Sequence, residues 1–248
     1  MLRSLDHMLS CTVSTTDGAL GRLRDVYYDD RFWTVRYLVV GDIDEQAAVR
    51  LVSPLAVDRV SDEPQQIFLS LDRDRVLEAP DVGEKRPVSL QAEMVYHDYF
   101  GWPYYWQEGP YARGAWPSPP GLPPTPDVAI PPPAGTRIEG GEEAEGRAQE
   151  NAEASHHLRS ADETIGYHVQ ALNGEIGHID DFLIDDRSWL VTSVVIDTRN
   201  WWFGKKVAVP SHEFTRIDWG SRLIFVDETH EQIQATREFD ATTLPREK

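Results

Sequence analysis

The segment Asp17–Gly41 occurs twice in this chain. It reads DGALGRLRDVYYDDRFWTVRYLVVG, and at Asn173–Asp197 the chain reads NGEIGHIDDFLIDDRSWLVTSVVID, in register and without a gap. Gly18, Gly21, Asp25, Asp29, Asp30, Arg31, Trp33, Val35 and Val39 recur as Gly174, Gly177, Asp181, Asp185, Asp186, Arg187, Trp189, Val191 and Val195. The register persists downstream, where Pro54 meets Pro210 and Ile67–Leu71 meets Leu223–Asp227. Such a duplication predicts one small unit built twice.

Each copy opens on a hairpin signal, Asp17-Gly18 or Asn173-Gly174, residues that tolerate the positive φ of tight turns. Gly21 and Gly177 fall inside a strand pattern and predict a bulge or sharp bend. A second turn follows at Asp29-Asp30-Arg31 and Asp185-Asp186-Arg187. After it come β-branched and aromatic runs starting at Trp33 and Trp189. These runs between turns predict antiparallel β structure. Further strands fit Leu9–Val13, Ala47–Val52 and Gln66–Leu71, with Gly166–Val169, Lys205–Val209 and Leu223–Asp227 as their counterparts. Brief helical turns fit Asp72–Leu77 and Glu228–Ile233. Roughly five or six strands per copy suit a small barrel.

The order of these motifs resembles the PRC-barrel family: a Gly-x-hydrophobic-x-Asp strand, an acidic turn, a β-branched strand, a proline-ended strand and a closing segment Leu71–Pro80. That family is named for the H subunit of the photosynthetic reaction centre and includes the C-terminal domain of a ribosome-maturation factor. The resemblance covers Leu2–Pro80 and Thr164–Phe239. It implies an all-β fold of two small barrels that bind other macromolecules without chemistry of their own. The expected organisation is a first barrel at 1–80, an aromatic connecting segment at 81–116, a Pro-rich then acidic linker at 117–163, a second barrel at 164–240 and a tail at 241–248. The resemblance leaves three other roles open. One is an accessory factor of a membrane electron-transfer complex. Another is a ribosome or RNA maturation factor acting through protein contacts. The last is an enzyme with an unrecognised site.

A barrel of roughly 75 residues is marginal in the surface it can bury alone. The two copies are therefore expected to pack together, within one chain or between two. Net charge is −18, which repels nucleic acid and anionic lipid and suits a basic protein partner. Arg22-Leu23-Arg24 and Lys205-Lys206 are sparse basic spots. No apolar stretch approaches the roughly 20 residues needed to span a bilayer, and Met1–Ser10 lacks a secretory apolar run. One cysteine, Cys11, excludes an internal disulfide and reads as a small buried hydrophobe. A cytoplasmic location is the simplest expectation.

Between the copies lies an aromatic belt that includes Tyr96, Tyr99, Phe100, Trp102, Tyr104, Tyr105 and Trp106. Prolines and glycines interrupt it, so it reads as an irregular segment covering a barrel face; an adhesive role toward a partner stays open. A short helix from Pro87 to Phe100, ended by Gly101, is expected before it. Pro117–Pro133 predicts extended polyproline II. Glu139–Glu163, with eight acidic and two basic residues, predicts disorder or a frayed helix.

The candidates for chemistry are few. Asp29-Asp30 and Asp185-Asp186 sit where turns are needed and lack the alternating oxygen spacing of a calcium loop. Asp25 and Asp181 read as buried acceptors that fix a bulge, because no acid or base recurs beside them. His168 and His178 are expected to face opposite sides of their hairpin. No phosphate-cradling glycine loop or zinc-type Cys/His spacing occurs, so neither a cofactor nor a metal is expected. The sharpest difference between the copies is Trp201-Trp202-Phe203, followed by Lys205-Lys206, against the small polar loop Glu45–Ala48. This loop either caps its barrel or meets a partner.

Overall fold

The computed structural model describes residues 1–9, 11–41, 49–80, 90–105, 158–198, 205–236 and 238–244. The first half runs β1 (Leu2–Ser4), α1 (Leu5–Met8), β2 (Thr12–Thr15), β3 (Gly18–Asp29), β4 (Thr34–Gly41), β5 (Arg50–Val52), β6 (Val57–Asp62), β7 (Gln65–Leu69), α2 (Arg73–Leu77) and α3 (Leu90–Phe100). The second runs β8 (Leu158–Ser160), α4 (Ala161–Thr164), β9 (His168–Ala171), β10 (Gly174–Asp185), β11 (Val191–Asp197), β12 (Lys206–Pro210), β13 (Phe214–Asp218), β14 (Leu223–Val226) and α5 (His230–Ala235). One sheet has the order β5-β4-β3-β2-β7-β6 and the other β12-β11-β10-β9-β14-β13. The orders are identical under the repeat, and β2–β7 and β9–β14 are the parallel pairs. The fold is all-β, with two barrel-like units. Among the described residues no helix is long and apolar enough to cross a membrane.

The repeated glycines answer a steric need. A Cβ on Gly21 would sit 2.0 Å from the Gly41 carbonyl oxygen, and one on Gly177 would sit 2.2 Å from that of Asp197. Only glycine lets the bent strand come this close to its neighbour. The predicted bulges are there: the register slips between Glu175 and Gly177, and Val13 and Ser14 pair with Gly21 and Ala19. A second slip precedes Asp25 and Asp181.

The two barrels exchange their first strands. Strand β1 pairs with β10 of the other barrel, Leu2 to Asp185 and Ser4 to Leu183. Strand β8 pairs with β3, Leu158 to Asp29 and Ser160 to Tyr27. The short helix behind each strand follows it, and Leu5 and Ala161 are buried. At the seam the amide of Val35 donates to the Trp189 carbonyl at 2.8 Å, and that of Val191 to the Trp33 carbonyl at 2.7 Å. Trp33 and Trp189 both have left-handed backbone, φ 51° and 57°. Bulky residues adopt that region at a cost of roughly 1–2 kcal/mol. Burial of both indoles offsets the cost. Trp33 stacks on Tyr28 at 5.6 Å and meets Phe214 of the other barrel at 5.7 Å, so one apolar core runs through both units.

The structure corrects several boundaries. Each first hairpin turns at Thr16-Asp17 or Leu172-Asn173, one residue early, because Gly18 and Gly174 already pair in the ladder. Strands β2 and β9 begin later than expected. Strands β6 and β13 lie where the sequence pattern is broken by charged and exposed residues. Residues 158–163, expected at the end of the linker, form β8 and most of α4. The helix expected up to Phe100 is there, and Gly101 follows it at φ 72°. Tyr96, Tyr99 and Phe100 therefore lie on regular helix rather than in an irregular belt. His168 and His178 are direct cross-strand partners, because the bulge before Gly177 shifts the register that would have separated them.

Candidate functional site

The most distinctive polar site of barrel one lies under α3. The outer face of its sheet carries Tyr27, Tyr37, Val39 and Leu51, and Tyr96 and Phe100 of α3 close over them. Tyr96 donates its hydroxyl to the Leu51 carbonyl at 2.9 Å, which fixes the helix on the strand. Glu93, one turn earlier, points into the same face. Its Oε2 accepts from the Tyr37 hydroxyl at 2.9 Å and from the Tyr105 hydroxyl at 2.5 Å. The Tyr37 oxygen also lies 3.3 Å from His97 Nε2, while His97 Nδ1 is 2.9 Å from the Pro103 carbonyl. A carbonyl only accepts, so Nδ1 carries the proton and neutral His97 presents Nε2 as an acceptor.

Beside this network sits Arg36, the extra residue of a bulge where Tyr37 and Val35 pair with Tyr27 and Tyr28. Its guanidinium lies over the Tyr105 ring at 4.2 Å and 3.5 Å from Asp29. Arg36, Glu93 and His97 are each 1% exposed. Burial pushes the Glu93 carboxyl up to about 7, against the hydrogen bonds from both tyrosines and the Arg36 charge. Burial likewise pushes His97 down to about 4. The arrangement sets two buried titratable groups, Glu93 and His97, on either side of the Tyr37 hydroxyl. It is closed to solvent.

A second concavity, of about 180 Å³, lies beside β1. Arg3, Ser4, Asp6, His7 and Asp62 face segment 241–244 across it. Arg3 is engaged by Asp62 and Asp186. The volume falls below the roughly 300 Å³ at which small-molecule pockets begin.

The repeated carboxylates serve the exchange. Asp181 accepts from the Ser4 hydroxyl at 2.5 Å, the Asp6 amide at 3.1 Å and the Phe182 amide at 2.8 Å. Asp25 accepts from the Ser160 hydroxyl at 2.5 Å, the Asp162 amide at 3.0 Å and the Val26 amide at 2.7 Å. The acidic turns divide their work in the same way in both copies. Asp29 and Asp185 accept backbone amides within the turn. Asp30 and Asp186 pair with Arg159 and Arg3 of the exchanged strands. Among the described residues no group of three or more His, Cys, Asp or Glu is arranged to hold a metal ion. Cys11 is 2% exposed, and burial pushes its thiol up to about 11.

Trp106, Trp201, Trp202 and Phe203 lie outside the described residues. Lys205 is exposed, and Lys206 Nζ lies 2.7 Å from Asp180. Phe100 and Tyr105 are buried, with Trp102 stacked on Phe100 at 4.3 Å. Tyr99 is at the surface and donates to the Arg75 carbonyl, and Tyr104 donates to Asp98. The reading from sequence missed Glu93, His97 and Arg36. It also missed the exchange segments Leu2-Arg3-Ser4 and Leu158-Arg159-Ser160. The latter carry a signal, the same tripeptide at the repeat's own offset. Glu93 and His97 offer only an i, i+4 titratable pair on a helix, and Arg36 offers none.

A search of curated proteins returns no match to this chain. A family comparison does match, and its span begins one residue before β8 and ends inside α5, so it takes in the exchanged strand and the barrel that follows: residues 157–233 are a PRC-barrel domain.

Proposed function

We propose that this chain is a non-enzymatic scaffold for macromolecules, built from two PRC-type barrels of which the first, outside the matched span, descends from the same duplication. One observation carries the reading. Six of the residues that recur in both copies, Asp25, Asp181, Asp30, Asp186, Trp33 and Trp189, are occupied in joining the barrels. What remains for function is the set of places where the copies differ. Those are the outer face under α3 and the Trp201-Trp202-Phe203 loop with Lys205 and Lys206. The clustered titratable groups Arg36, Glu93 and His97 are sealed beneath α3. A net charge of −18 favours a protein partner with a basic surface over nucleic acid.

The test is affinity capture from native lysate, comparing wild type with Trp201→Ala/Trp202→Ala. A basic protein should be held by wild type, released by salt, and lost in the variant while the variant's melting curve is kept. Ribosomal proteins among those lost would place the scaffold in ribosome maturation. Subunits of a membrane electron-transfer complex would make it an accessory of that complex. Unfolding of the second barrel in the variant assigns the two indoles to its core and removes the loop as an interface.

A further inference from the structure

The exchange contacts describe a recognition site, read twice. In each barrel the long strand, β3 or β10, receives an extended Leu-Arg-Ser that then enters a helical turn. Serine donates to a buried aspartate, the amide two residues later donates to the same carboxylate, and arginine pairs with the second aspartate of the acidic turn. The position after serine is Leu5 in one segment and Ala161 in the other, so the site tolerates change there. Arg3 and Ser4 are 4% and 6% exposed, so the bound segment is desolvated as a peptide anchor is. With the arm in place Asp181 is 5% exposed and takes two of its donors from Ser4 and Asp6. An empty groove gives up these bonds and the buried contacts of the arm, so it favours refilling.

We propose that each groove is a strand-addition site selective for Leu-Arg-Ser followed by a helical turn, and that a second copy of this chain fills it by exchanging arms. Every copy carries two such arms. Filling from within and filling from a neighbour make the same bonds, so concentration decides between them. More than 50 residues (101 to 157) separate α3 from β8, so the chain's own arm and that of a neighbouring copy compete for the same groove. This inference does not depend on the scaffold reading above.

The probe is a fluorescent peptide of residues 1–8, titrated against the full chain carrying Arg3→Ala/Ser4→Ala, whose own arm is weakened. Saturable binding is expected. It should weaken about tenfold when the peptide's serine is alanine, and vanish when Asp181→Asn is added to the chain. Equal binding of the altered peptide, or no binding to a variant that melts like wild type, overturns the proposal. Should the variant not fold, the same peptide with a photo-crosslinker at its first leucine is applied to wild type. Crosslinks within 181–186 or 25–30 support the site, and scattered or absent labelling refutes it. Sedimentation of wild type up to millimolar concentration decides the occupant. A dimer suppressed by the peptide identifies the second copy, and a monomer throughout excludes it.

Discussion

On the outer face of barrel one, β4 carries Tyr37 and the bulged Arg36 beneath α3; at the same places in barrel two stand Ser193 and Thr192. Arg36 is buried against Tyr105, whereas Thr192 turns its hydroxyl back to the Leu183 carbonyl at 3.1 Å. Inside, by contrast, the clasps that join the copies correspond. Ser4–Asp181 mirrors Ser160–Asp25, and the two left-handed tryptophans cross-bond each other's neighbours. A duplicated chain is free to vary only where its halves do not hold each other. The interior pairs are constrained twice, because each residue must fit its own barrel and the arm of the other. The outer faces carry no such double constraint, and that of barrel one is covered by α3 above Glu93, His97 and Tyr37.

Breaking the shared interior should cost most. Trp33→Ala removes a ring that packs on Tyr28, Phe182 and Phe214 at once. Loss of about 3–5 kcal/mol is expected, measured by denaturant unfolding. Both barrels should melt together, since the core is common to them. Two separate transitions, with one barrel unaffected, would show that the units are stable independently. A smaller effect, about 3 kcal/mol, is expected from Asp25→Ala or Asp181→Ala, each of which deprives a buried serine hydroxyl and two amides of their acceptor. The two variants should be equally destabilised. Values differing by more than about 1.5 kcal/mol would show that one clasp dominates and that the symmetry is only geometric.

These comparisons also mark what sequence can carry. The all-β class, the paired units, the bulges at Gly21 and Gly177 and the turns at Asp29 and Asp185 follow from local chemistry, because glycine alone permits the close backbone approach, aspartate favours turns and β-branched residues favour strands. Strand exchange is not local. Leu2-Arg3-Ser4 and Leu158-Arg159-Ser160 state that something repeats, yet nothing in them says which barrel each will join. Strands β6 and β13 were hidden because Asp58, Arg59, Thr215 and Arg216 are exposed and interrupt the apolar alternation. The site under α3 was the least legible. Glu93 and His97 acquire their altered acidities from burial against Tyr37 and Tyr105, and burial by residues distant in sequence leaves no local mark.

The lid gives the smallest effect and the finest distinction between the two faces, since barrel two has Ser193 where this network has Tyr37. Docked Glu93 titrates at about 7, against an ordinary 4.5, so between those values the docked form holds a proton that the free helix has lost. Docking therefore weakens as pH rises from 4.5 through 7. Docked His97 titrates at about 4 against 6.5, so the free helix holds the extra proton between those values and docking strengthens as pH rises through that range. The slopes oppose and cancel between pH 4.5 and 6.5, where docking amounts to moving one proton from His97 to Glu93. Above the ordinary histidine range the Glu93 effect stands alone, so docking weakens toward neutral pH. Protection of the α3 amides in hydrogen exchange, once corrected for intrinsic rates, should decline toward neutrality. Glu93→Gln should abolish that decline and unmask the His97 slope below it, so that protection rises with pH up to 6.5 and then stays flat. If the variant keeps the neutral decline, the proton that leaves above pH 6.5 is not on Glu93, and the lid is held by its apolar contacts with Tyr27, Val39 and Leu51 and by the Tyr96–Leu51 hydrogen bond.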